Sequence, residues 1–119
     1  MSGARSYHAG LAAEDIVQRA YEATGHTLRA RRWRGKAGEI DLILDDATDA
    51  GGLVFVEVKA AATHDTALSS LSPRQLARIA LAAEEYIGSL DAPALIAMRI
   101  DLAAVDGAGR VEIVPNITA

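Results

Sequence analysis

Two short stretches carry the residues best suited to chemistry: Gly-Glu-Ile-Asp-Leu-Ile-Leu at 38–44 and Phe-Val-Glu-Val-Lys at 55–59. Both alternate with a period of two, as strands do. One face collects Ile40, Leu42, Leu44, Val54, Val56 and Val58. The other collects Glu39, Asp41 and Ile43 with Phe55, Glu57 and Lys59. The Asp-, Gly- and Thr-rich connection from Asp45 to Gly52 predicts an antiparallel hairpin. A symmetric turn sets Ile43 against Phe55, Asp41 against Glu57 and Glu39 against Lys59. Directly opposed like charges destabilise a strand pair, so Asp41 and Glu57 call for a cation or a proton between them. A hard divalent ion such as Mg²⁺ takes one or two carboxylates and keeps several waters. With the Lys59 ammonium on the same face, the set suits phosphodiester hydrolysis, where negative charge develops on phosphate oxygens. The plainer alternative is a solvated hairpin in which Glu39 and Lys59 form an ion pair worth under about 1 kcal/mol.

The elements that must position this hairpin follow from periodicity and punctuation. Residues 8–24 predict a first helix, capped at Thr24-Gly25, with Gly10, Ala13, Val17, Ala20 and Tyr21 as its buried stripe. Glu14 falls within that stripe. There it needs a charged partner, a metal, or a route to water at the stripe's edge. Residues 27–34 predict a strand, with Leu28, Ala30, Arg32 and Arg34 on one face and Arg29, Arg31 and Trp33 on the other. Trp33 suits core packing or stacking on a base. Arg31, Arg32, Arg34 and Lys36 are candidate phosphate contacts, or a solvated edge. The segment 60–71 has no clear period and is expected to be a mobile loop able to close over a substrate. Ser72-Pro73-Arg74-Gln75 starts a helix running to about Gly88. Gln75 either completes the capping box or points toward Lys59, with Arg78 one turn further along. Asp91-Ala92-Pro93 breaks the chain, 94–102 predicts a central strand, 106–109 a turn, and 111–114 a last strand. His8, His26 and His64 show no metal-ligand spacing.

The order αβββαβ(β) implies a single α/β domain over 1–119, a mixed sheet with helices on its faces. There is no cysteine, which excludes disulfides, thiolate metal sites and cysteine nucleophiles. No apolar run reaches the ~20 residues of a membrane span, and the N-terminus lacks a signal-peptide core. A cytoplasmic protein without a membrane partner is the expectation. The net charge of −4 argues against purely electrostatic DNA binding. Yet five of the twelve Lys and Arg residues fall between Arg29 and Lys36, directly before the carboxylate motif.

With these residues and this order, the chain resembles the YraN-like family of predicted endonucleases, of the broad PD-(D/E)xK, restriction-endonuclease-like fold. That family in turn resembles archaeal Holliday junction resolvases. The likeness runs from Gly10 to about Asp101. Its most specific blocks are Gly38-Glu39-Ile40-Asp41-Leu42-Ile43 and Phe55-Val56-Glu57-Val58-Lys59; Glu14, Arg99 and Asp101 match weaker positions. The resemblance implies that Asp41 and Glu57 ligate Mg²⁺ or Mn²⁺, with Glu14 as a further ligand or water-linked neighbour. It implies that Lys59 orients the attacking water and stabilises the phosphate, with Glu39 behind the ligands or paired to Lys59. Gln75 would sit near the scissile phosphate, and Arg78 beside it would contact nucleic acid. Two departures stand out: Ala61 where the family commonly has arginine, and Gln75 where lysine is frequent. The leading expectation is a Mg²⁺-dependent endodeoxyribonuclease acting on structured or branched DNA in repair or recombination. The alternatives are a catalytically weak module that binds DNA or a protein partner, and a plain structural domain. RNA remains open as a substrate, and a homodimer would suit paired cuts on a symmetric junction.

Overall fold

Apolar residues alternating along three successive strands need cover on both faces of the sheet, and two helices supply it. A computed structural model of the chain describes residues 3–91 and 96–118, with side chains from residue 10 onward. The elements are α1 (Gly3–Ala23), β1 (Thr27–Arg34), β2 (Glu39–Asp45), β3 (Leu53–Ala60), α2 (His64–Ser69), α3 (Pro73–Gly88), β4 (Met98–Val105) and β5 (Val111–Val114). The five strands lie in sequence order, and only β3 and β4 are parallel. The parallel pair is what the α2–α3 crossover makes possible. This is the single α/β domain with a mixed, helix-flanked sheet that the element order predicts.

On one face Ala13, Val17 and Tyr21 of α1 pack on Leu42, Leu44, Val54, Val56, Ala103 and Val105. On the other, Ile79, Ala82 and Ala83 of α3 pack on Ile40, Ile43, Leu53, Phe55 and Ile100. Each fully buried aliphatic or aromatic side chain here contributes about 1.5–3 kcal/mol. Ile40 is a correction: it lies under α3 and not with Leu42 and Leu44. α1 ends as expected, with Gly25 at φ 92° and its N–H donating to Glu22 O at 3.0 Å.

β1 departs from simple alternation. Its register shifts between Leu28 and Ala30, and Arg32 has φ 51°. Leu28 therefore packs under α1, while Ala30 and Trp33 pack under α3. The expected grouping of Arg29, Arg31 and Trp33 on one face does not hold.

The segment 60–71 is not a plain loop. Thr63 caps the six-residue α2, accepting from Thr66 N, and Ala67 is buried beneath it. Ala61 N donates to Val105 O at 3.1 Å and Gly107 N to Ala62 O at 3.1 Å, which fastens the segment to β4 and its following turn. The alternation is absent because the helix is too short to show a period.

The strand expected at 94–102 is displaced to Met98–Val105. Parallel pairing with β3 runs from Leu53↔Met98 to Ala60↔Val105, and it carries Ala103 and Ala104 into a strand despite their modest propensity. Residues 94–95 of the expected strand and 92–93 of the expected break lie outside the described residues. Among the described residues no helix is long and apolar enough to cross a membrane.

Candidate functional site

β2 and β3 pair as predicted, Ile43 opposite Phe55 and Leu42 opposite Val56. The ladder ends there, one residue short of the acids. Beyond it Asp41 turns its Oδ2 to accept the Val58 N–H at 2.8 Å, bridging the gap between the two strands. Asp41 and Glu57 are thus brought to the same cleft, close enough that each carboxyl acts on the other's proton. Glu57 is buried, only 6% exposed. Its Oε2 also accepts from Gln75 Nε2 at 2.6 Å and lies 3.3 Å from Lys59 Nζ.

This environment pushes the Glu57 carboxyl up to about 8. Burial is the main cause, followed by the hydrogen bond and negative charge of Asp41, with Lys59 pulling the other way. Two acids held this closely retain a proton until something more positive replaces it. The donor set fits a hydrated hard cation held by two carboxylates. Among the described residues no three carboxylate or imidazole groups gather into a cage, so waters would complete the shell. Asp41 and Glu57 are the residues to hold it.

The acids open on a polar cleft of about 240 Å³, lined by Gly38, Glu39, Asp41, Glu57, Gln75, Arg78 and Ile79. α3 supplies Gln75 and Arg78 because Ser72 caps it, accepting from Gln75 N at 3.0 Å. The Gln75 side chain points into the cleft and bonds Glu57. A larger hollow of about 410 Å³ lies at the α1 face, lined mostly by apolar groups including Ile16, Ala60, Ala61 and Val105. It holds no comparable set of acids and amine, so the smaller cleft is the candidate site.

Other candidates stand elsewhere. Glu14 is buried, but Arg32 Nε donates to it at 2.9 Å and Arg31 Nε lies 3.5 Å away. Its burial is thus resolved by ion pairing, and it is not among the residues lining the cleft. Arg31 also reaches Asp15, Gln18 Oε1 and Leu11 O, so Arg31 and Arg32 fasten β1 to α1. Arg34 and Lys36 are exposed on the segment that leads into Gly38 and Glu39 of the cleft wall, and Arg78 is exposed while lining it. Glu39 pairs with Arg34 at 3.1 Å, which corrects the expected Glu39–Lys59 contact. Trp33 takes the packing role, edge-on to Tyr86 with ring centres 5.3 Å apart. His64 sits on α2, its Nε2 2.8 Å from Arg110 O. His26 Nδ1 accepts from Ala47 N at 3.0 Å, and the side chain of His8 lies outside the described residues.

Two arrangements join residues far apart in sequence; of these the family resemblance singles out only Arg99 and Asp101, and without a role. Glu85 of α3 accepts the N–H groups of Lys36 at 2.8 Å and Ala37 at 3.4 Å, nearly fifty positions away. Asp101, fully buried, accepts from Tyr21 OH at 2.7 Å, Arg99 Nε at 3.1 Å and Asn116 N at 3.0 Å. Arg99 Nη1 also reaches Asp46 at 3.1 Å, so one network ties α1, β4, the β2–β3 connection and the C-terminal segment.

Comparison with known proteins agrees in extent with the elements that build the site. The model of Uncharacterised protein family UPF0102 matches residues 13–105, from α1 through the end of β4. A UPF0102 protein of Cereibacter sphaeroides is 47% identical over 119 residues, covering 100% of this chain and 99% of its own. One from Ruegeria pomeroyi is 47% identical over 114 residues, covering 96% and 90%. One from Roseobacter denitrificans is 44% identical over 115 residues, covering 97% and 87%. With a match of that breadth, the chain belongs to the UPF0102 family.

Proposed function

We propose that this protein is a divalent-metal-dependent endonuclease that hydrolyses phosphodiesters of DNA, with structured or branched DNA as its substrate class. The observation that carries the reading is the placement of Asp41 and buried Glu57 in one polar cleft with Lys59 Nζ 3.3 Å from Glu57. A bound Mg²⁺ or Mn²⁺ would supply Lewis-acid polarisation of a phosphoryl oxygen and a more acidic water. The chain's own groups do the rest. The Val58 N–H fixes Asp41, and the Gln75 amide fixes Glu57. Lys59 places a positive charge beside the position where phosphate charge accumulates, and it orients water there. Exposed Arg34, Lys36 and Arg78 offer contacts to the strand's phosphates, which position without reading sequence.

The test is cleavage of labelled four-way junctions, flaps and single strands with Mg²⁺ or Mn²⁺. A product that needs the metal and disappears in Glu57→Gln and Lys59→Ala supports the reading; no such product defeats it. A second reading, a DNA- or partner-binding module with little catalysis, is favoured by one feature. Gln75 is already engaged by Glu57, and Ala61 offers no cation, so fewer positive groups face the phosphate than in the resemblance. It predicts DNA binding that survives Asp41→Asn and a melting temperature that Mg²⁺ leaves unmoved.

A further inference from the structure

One face of α3 does more than cover the sheet. Gln75, Arg78 and Glu85 recur at helical spacing along it, and each meets a part of the site. Gln75 bonds Glu57; the Arg78 Cβ lies 3.8 Å from where a Cβ on Gly38 would stand; Glu85 receives the turn between β1 and β2. In that turn Gly35 N donates to Gly38 O at 2.9 Å, and the next two N–H groups converge on the Glu85 carboxylate. Lys36 N is 2.8 Å from one Glu85 oxygen and 3.0 Å from the other. Such paired N–H groups favour an anion, and here the protein provides its own. The fit is close enough that a side chain at 35 would displace Glu85 or Trp33. A Cβ there would stand 2.4 Å from Glu85 Oε1 and 2.8 Å from Trp33 Cη2.

We infer that Glu85 is a positioning residue for the nucleic-acid substrate, holding the 35–38 turn so that Arg34 and Lys36 stay beside the Asp41–Glu57 cleft. The inference rests on the nuclease reading but concerns substrate binding rather than bond cleavage. The turn leads directly into Gly38 and Glu39, which line the cleft, and Arg34 is bonded to Glu39 at 3.1 Å. Released from Glu85, the turn would carry Lys36, and loosen Arg34 at its edge, over a range of positions, and binding would bear the cost of ordering them.

Charge and position predict opposite signs here. Glu85→Ala removes a negative charge, which alone tightens binding to a polyanion. Loss of positioning weakens it. The experiment measures binding of a labelled four-way junction in EDTA for wild type, Glu85→Ala, Glu85→Gln, Gly35→Ala and the charge control Glu84→Ala. The emission of Trp33, the sole tryptophan, reports the turn independently. Expected are a Kd raised about five- to tenfold in Glu85→Ala and Gly35→Ala, and a red-shifted Trp33 in both. Glu85→Gln, which keeps one acceptor oxygen, falls between, and Glu84→Ala binds as well as wild type or better. With Mg²⁺, KM rises while kcat stays within about twofold. An unchanged Trp33, or a Kd in Glu85→Ala equal to or below that of wild type, overturns the inference and leaves the nuclease reading intact. Failure of the wild type to bind DNA defeats both.

Discussion

The Asp41–Glu57 pair makes a signed prediction about stability in the absence of metal. Glu57 has a folded-state value of about 8 against an ordinary 4.5, raised first by burial and then by Asp41. The native state therefore holds a proton that the unfolded chain releases at lower pH. By linkage this contribution is fully present below about pH 4.5 and is lost as pH rises through 8. One pKa unit corresponds to about 1.4 kcal/mol, so the span amounts to several kcal/mol, a large part of a typical domain's 5–15. Asp46 and Asp106 sit below their ordinary values. Their contributions are present above that range and are lost only in stronger acid, outside this window. Urea unfolding in EDTA from pH 5 to 8 should show wild type losing stability relative to Glu57→Gln, whose neutral amide does not titrate. Added Mg²⁺ should restore more stability at pH 8 than at pH 6, because a cation must displace that proton to bind. A wild-type stability that stays level with Glu57→Gln or rises against it across this range would refute the account of the acids.

Gln75→Ala should lower kcat about tenfold or more with little change in DNA Kd, because Glu57 loses its 2.6 Å bond and its fixed orientation; single-turnover cleavage and anisotropy separate the two. Glu14→Gln should cost about 1–2 kcal/mol in urea unfolding while leaving Mg²⁺ affinity by calorimetry within about twofold, since its partners are Arg31 and Arg32. Arg99→Ala should cost about 3 kcal/mol by the same unfolding assay, because Asp101 is wholly buried and would lose its cation.

The elements and the acid hairpin were legible because each rests on local information. Alternation located β2 and β3, Ser72-Pro73 located the start of α3, and the length of the connection set the Ile43–Phe55 register. Failures came where a distant contact outweighed the local pattern. Ala103 and Ala104 are strand because β3 offers them hydrogen-bond partners. β1 abandons alternation between Leu28 and Ala30, and Arg32 adopts positive φ, so its faces could not be read by counting in twos. The arginines of that strand read as one basic patch, and three-dimensional pairing divides them. Arg31 and Arg32 pair with acids of α1, Arg34 pairs with Glu39 of the cleft wall, and Lys36 stays exposed.

That division matters for how an acidic protein could handle a polyanion. On the nuclease reading, a chain of net charge −4 cannot rely on its overall field to attract DNA, so its few exposed cations must be well placed. α3 meets this need with one face: Gln75 orients the buried acid, Arg78 lines the cleft, and Glu85 holds the turn bearing Lys36. The same helix that closes the hydrophobic core thus sets both the acid and the cations against the strand pair. On the proposed reading, a shift of α3 along its axis disturbs acid orientation and substrate grip together, whereas a change confined to Glu85 disturbs only the grip.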